Sequence, residues 1–269
     1  MDSLWVDTML QSVRKEYTYS SPKHNITDVT ESDKNYIQSL VDMDNEFDTL
    51  QLKKKIMADV EEGNAIITKS SSMLGMIIIV HNEDYEPTFH IWWRIVRLLS
   101  KTPVRIVIFA HPLLRKMPNK DGPIEAKHIN GGYAMRCDAT SIIIYRQEEI
   151  SRVMIHELLH ASCSDPYHKS VEYIESDTEA WAEIILCAMA AKGNKNSYNR
   201  YMNEQILYSL QQAAVLRDKH KVHSDMDYAW RYTIGKFDVW KRLGLHIPDM
   251  PTKYTAIDSL RLTIHEPSI

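Results

Sequence analysis

Cysteine and glycine are scarce in this chain, with three and eight in 269 residues, and no apolar run approaches the length of a bilayer span. Cys137, Cys163 and Cys187 form no close pair and are odd in number, which argues against a disulfide-stapled scaffold and predicts reduced thiols in an intracellular setting. Runs such as "MIIIV" (76–80) are far too short for a transmembrane helix. The start, "MDSLWVDTMLQSVRKEY", lacks the apolar stretch of a secretory signal, so a soluble cytoplasmic protein without membrane partners is expected. Basic charge is not massed either. The net charge is -4, with Lys and Arg spread along the chain, so nucleic acid is not expected as a partner.

What is present is an ordinary globular composition, 44% hydrophobic and 25% charged, which argues against a disordered or fibrous chain. The length suits one large domain or two small ones. Residues 1–63 are polar and weakly patterned; "EFDTLQLKKKIMADVEEGN" (46–64) reads as a helix with Gly63 as its stop. The texture then changes. "LGMIIIV" (74–80) and "VRIVIFA" (104–110) read as buried strands around a helix, "PTFHIWWRIVRLLSK" (87–101). "PLLRKMPNKDGP" (112–123) is a loop, and two short strands, about 129–136 and 141–145, flank the turn-prone "CDAT".

Helices are expected over 147–162, 170–191, 197–219 and 226–243, followed by an extended tail over 244–269 marked by Pro248 and Pro251. This order predicts an α+β fold with a mixed sheet backed by helices. The organisation expected is an N-terminal segment (1–63), a main domain (64–243) and the tail (244–269).

Within the first of those C-terminal helices lies "VMIHELLHAS" (153–162). Helical spacing puts His156 and His160 one turn apart on the same face, where two imidazoles reach one zinc ion. Glu157 lies about a quarter turn away, suited to act as general base on a water at the metal. A catalytic zinc needs a third protein ligand and an open position. The next helix offers Glu172, Glu175, Glu179 and Glu183, spaced three and four apart along one side. Such a stripe is either a solvated acidic face or one turned towards a cation.

"HELLH" followed by "ESDTEAWAE" resembles the gluzincin branch of HExxH zinc metallopeptidases, whose third ligand is a glutamate on the following helix, in a Glu-x-x-x-Asp/Glu pattern. The resemblance implies a zincin-like fold, with an antiparallel edge strand lining the cleft, and one Zn2+ per chain held by His156, His160 and Glu179. Glu183 would then orient a ligating histidine; a competing mapping makes Glu175 the ligand and Glu179 its partner. The metzincin pattern fits worse, because Cys163 and Pro166 stand where it requires Gly and His. His168 is a further ligand candidate at a spacing that matches no such pattern. The resemblance covers roughly residues 74–190. The "IYRQEE…HELLHA" texture also resembles uncharacterised proteins of large DNA viruses, which would place the chain in host cytoplasm or virion.

The resemblance further implies that a peptide substrate adds to the edge strand at Gly131 and Gly132; the alternative is that these glycines only make a bulge. The oxyanion needs a donor, and "HKVHSDMDYAWRYTIGKF" (220–237) offers His223, Tyr228 and Tyr232, with Tyr232 the one chosen and Tyr173 a further candidate. The activity implied is zinc-dependent hydrolysis of peptide bonds in a peptide or protein substrate. The rival reading is a non-catalytic zincin-fold module, structural or protein-binding, with a structural zinc closed by a fourth ligand or with none.

Overall fold

The computed structural model describes residues 4–43, 46–118, 122–166, 169–254 and 257–266. The first half of the chain contains α1 (Leu4–Thr18), β1 (Asn25–Thr27), α2 (Glu31–Asp42), α3 (Leu52–Glu61), β2 (Ala65–Ser72), β3 (Gly75–Asn82), α4 (Phe89–Leu99) and β4 (Val104–Phe109). Then follow α5 (Ala126–Ile129), β5 (Gly132–Ala134), β6 (Ile142–Ile144), α6 (Ile150–Ala161), α7 (Val171–Ala190), α8 (Lys195–Lys219), α9 (Trp230–Thr233) and α10 (Lys236–Arg242). The fold is α+β, with a six-stranded mixed sheet and a helical C-terminal half. No helix among the described residues is long and apolar enough to cross a membrane.

Two compact units form, each assembled from separated stretches of chain. The sheet unit comprises Ser21–Leu114 and Asn130–Cys163. Its strand order is β1-β2-β3-β4-β6-β5; β3, β4 and β6 run parallel, and the outer pairs are antiparallel. Ile77, Ile78, Ile79 and Val80 are fully buried, as expected of a central strand covered on both faces. Gly75 tightens the β2–β3 turn at φ 123°, where a Cβ would lie 2.0 Å from the Val104 carbonyl oxygen. One face packs α2 and α3 over Ile78, Val80, Val107, Phe109 and Ile143. α4, whose Trp92 and Trp93 are core residues, packs on α6, and α6 in turn lies against β5 and β6.

The N-terminal stretch is more ordered than its polarity suggests. Strand β2 ("AIITKSSS") was not expected, because its serines and threonines hide the alternation; the neighbouring β3 supplies the ladder. Helix α2 begins at a capping box, Thr30 with Asp33, a signal that "TESD" does carry.

The helical unit comprises Met1–Ser20, Arg115–Ile129 and Ser164–Ile269. α7 is its axis, with α1, α8, α9 and α10 packed on it. Trp5 meets Trp181 edge-on at 5.4 Å and donates its indole N–H to the Leu243 carbonyl at 3.0 Å. The helix expected over 226–243 is divided in two. Gly235 sits between α9 and α10 so close to Ser176 Oγ (2.3 Å from a Cβ position) that only a glycine lets the chain pass α7 there.

The tail is extended but anchored: Leu260, Leu262 and Thr263 are buried, and α8 holds the strip through Gln205 and Gln212. At the centre of this unit Lys236 forms a wholly buried ion pair with Glu183. Lys236→Met should therefore cost about 3–5 kcal/mol in urea unfolding, because it strands a buried carboxylate. A loss below about 1 kcal/mol would show that Glu183 does not depend on that cation.

Candidate functional site

Helix α6 is buried nearly all round, with Val153, Met154, Ile155 and Leu158 in the core. Its polar residues are buried too: His156 and Glu157 are 6% exposed and His160 is 9% exposed. Burying two imidazoles and a carboxylate costs several kcal/mol unless each finds a partner. The backbone spacing brings the imidazoles to each other, with His156 Nε2 and His160 Nε2 3.1 Å apart and the rings at 73°. Two nitrogens this close either share a proton or share an ion. Two ligands of a tetrahedral zinc at ordinary bond lengths stand roughly 3.3 Å apart, so the pair fits a metal with little adjustment.

Glu157 turns towards the edge of the sheet. A Cβ on Gly132 would lie 3.3 Å from its Oε1, so the carboxylate runs alongside the β5 backbone. β5 pairs with β6 in unbroken register, Gly132 opposite Ile144, Tyr133 opposite Ile143 and Ala134 opposite Ile142; the glycine makes no bulge there. Gly131 extends the ladder by accepting from the Tyr145 N–H at 2.8 Å. Gly132 is required by proximity. Its Cβ position lies 2.7 Å from Val153 Cγ1 and 2.8 Å from the Ile143 carbonyl oxygen.

One expectation is overturned beside this helix. Cys137 and Cys163 are not reduced thiols but a disulfide, with Cα atoms 4.6 Å apart. The pairing is invisible in sequence, where they are separated by 26 residues, because it depends on the β5–β6 hairpin folding onto the end of α6. With two of its three cysteines paired, the chain gives no sign of a reducing, intracellular setting through its thiols. Cys163 is also removed as a metal ligand, since a disulfide sulfur offers no thiolate. Cys187 is free and wholly buried, and burial pushes its thiol well above the ordinary range, followed in effect by the negative charge of Glu183.

The remaining expected residues belong to the helical unit. α7 is capped by Ser170, whose hydroxyl accepts from the Tyr173 N–H at 3.4 Å. Along its acidic side Glu172 is half-buried and pairs with Arg231 at 3.2 Å, Glu175 is also half-buried, and Glu179 and Glu183 are fully buried. Glu183 is engaged on both oxygens: Oε1 accepts from Lys236, and Oε2 from Gln205 Nε2 at 2.9 Å.

The rings of Tyr232 and Tyr228 pack at a tilt, with centroids 5.6 Å apart. Its phenol is held well above its ordinary pKa, first by burial and then by the negative charge of Glu175, so it stays a protonated donor. Tyr173 lies between Lys169 and Arg242, and His223 is exposed at a turn closed by Asp227. His168 lies outside the described residues. The structure thus gathers His156, Glu157, His160, Gly131 and Gly132 in one unit, and Glu175, Glu179, Glu183 and Tyr232 in the other.

Gly132→Ala should cost about 1–3 kcal/mol in unfolding experiments, because the new methyl clashes with both the Val153 side chain and the Ile143 carbonyl. An unchanged stability would show that the edge strand is not held this tightly on α6. No protein-family model matches the chain, and no curated protein or solved structure matches it either.

Proposed function

We propose that this protein is a zinc-dependent peptidase of gluzincin type with a zincin-like fold. The observation that carries the reading is the pairing of His156 Nε2 and His160 Nε2 at 3.1 Å on a buried helix whose Glu157 carboxylate runs along the edge strand. With both rings protonated at Nδ1, the two Nε2 lone pairs converge on one point, and a divalent cation satisfies both. The third ligand is assigned to a carboxylate of α7. Glu183 already accepts from Lys236 and Gln205, which favours the mapping one turn earlier: Glu175 as ligand and Glu179 as the residue that orients a histidine.

Bound zinc would supply a Lewis acid and make a coordinated water easier to deprotonate near neutral pH. The protein supplies the rest. Glu157 takes a proton from the attacking water and returns it to the leaving amine nitrogen. An extended peptide is taken up against the outer side of the end strand β5, main chain to main chain, which brings its scissile bond alongside Glu157. Tyr232, kept protonated, is the donor assigned to the oxygen of the tetrahedral intermediate.

Elemental analysis of the purified protein should find about one zinc per chain, and His156→Ala should lose it. Glu157→Gln should keep the metal while cleavage of an unfolded protein such as reduced casein falls at least about a hundredfold. A Glu157→Gln protein as active as the parent, or a parent free of zinc, would defeat the proposal. Comparing Glu175→Gln with Glu179→Gln separates the two mappings: the ligand variant should lose zinc, whereas the orienting variant should bind it only about 10–100-fold more weakly.

A further inference from the structure

We infer that the Cys137–Cys163 disulfide is a reducible clamp on the HELLH unit: its reduction releases edge strand β5 from α6 and loosens the grip of His156 and His160 on a metal. Four observations within this unit converge. Both half-cystines are exposed, so a reductant can reach the bond without unfolding the protein. The bond ties the turn after β5 to the residue just past the C-cap of α6, and so joins the strand beside Glu157 to the helix that bears it. The backbone N–H groups of Cys137 and Cys163 both donate to the carbonyl oxygen of His160, each at 3.1 Å. Both residues sit in the left-handed region, at φ 62° and 57°, a conformation that a residue with a Cβ keeps only when its surroundings enforce it.

β5 itself is short: it pairs with β6 through three residue pairs and is the end strand of the sheet. A three-residue edge strand is among the first elements to open when a tether is cut. Cleavage takes two electrons from a dithiol reductant. The S–S bond breaks, two protons complete the Cys137 and Cys163 thiols, and the reductant leaves as its own disulfide. The third cysteine does not compete, since Cys187 is buried and its thiol is held protonated. The metal half of the inference rests on the proposed zinc site; the opening of β5 does not.

The test treats the parent protein with or without tris(2-carboxyethyl)phosphine, then labels it natively with iodoacetamide. Mass spectrometry should count two labels after reduction and none before. Hydrogen exchange over 132–137 and 157–163 should be at least about tenfold faster in the reduced protein, and transfer of zinc to a chromogenic chelator should accelerate by a similar factor. The Cys137→Ser/Cys163→Ser double variant should reproduce the reduced pattern; if it does not fold, the reduced parent carries the test. Labelling without reductant, or unchanged exchange in protein shown to carry two free thiols, overturns the clamp. A parent that lacks zinc yet shows the faster exchange defeats the peptidase reading and leaves the clamp standing.

Discussion

The arrangement depends on a helix that buries its polar side chains along with its apolar ones. α6 is wedged between α4 and the β5–β6 hairpin, and His156, Glu157 and His160 are largely shielded from bulk water. Desolvation therefore forces those groups onto partners near at hand. The 3.6-residue repeat then decides which ones: the two imidazoles face each other, and the carboxylate, a quarter turn round, faces the strand. The proposed metal site depends on that enforced proximity.

The sheet serves the same end. β3 and β4 are saturated with β-branched residues and buried on both faces, a rigid platform against which α4 and α6 are laid. At the far edge the platform becomes thin, with two three-residue strands, a glycine that lets the backbone touch the helix, and a covalent bond between hairpin and helix end. Under the proposed peptidase reading, this end strand is the edge to which an extended peptide would add. In the helical unit the organising element is different. Glu183 and Lys236 neutralise each other at zero exposure, and Gln205 links that pair to the tail strip.

How much of this was legible differs by element. Strands β3 and β4 and helices α4, α6, α7 and α8 were readable because apolar periodicity is a local signal strong enough to survive any packing arrangement. β2 was not, because its serines, threonines and lysine carry no alternation and its strand character is conferred by pairing with β3. The break between α9 and α10 was hidden for a related reason: it follows from Gly235 passing Ser176, a contact about sixty residues away in the chain. The acidic stripe on α7 read as one uniform face. In the fold its members separate into a half-buried Glu172 paired with Arg231, a half-buried Glu175, a fully buried Glu179, and Glu183 consumed by Lys236 and Gln205.

The sequence by itself determined the α+β class, the helix bearing HELLH and the convergence of His156 with His160, because backbone geometry within one helix needs no tertiary information. Only the tertiary structure decided that Cys137 meets Cys163, that Gly132 lies against Glu157, and that Glu183 is spoken for by Lys236. Those are contacts between segments far apart in sequence. They are set by which faces the core leaves available, and no local pattern of residues encodes that choice.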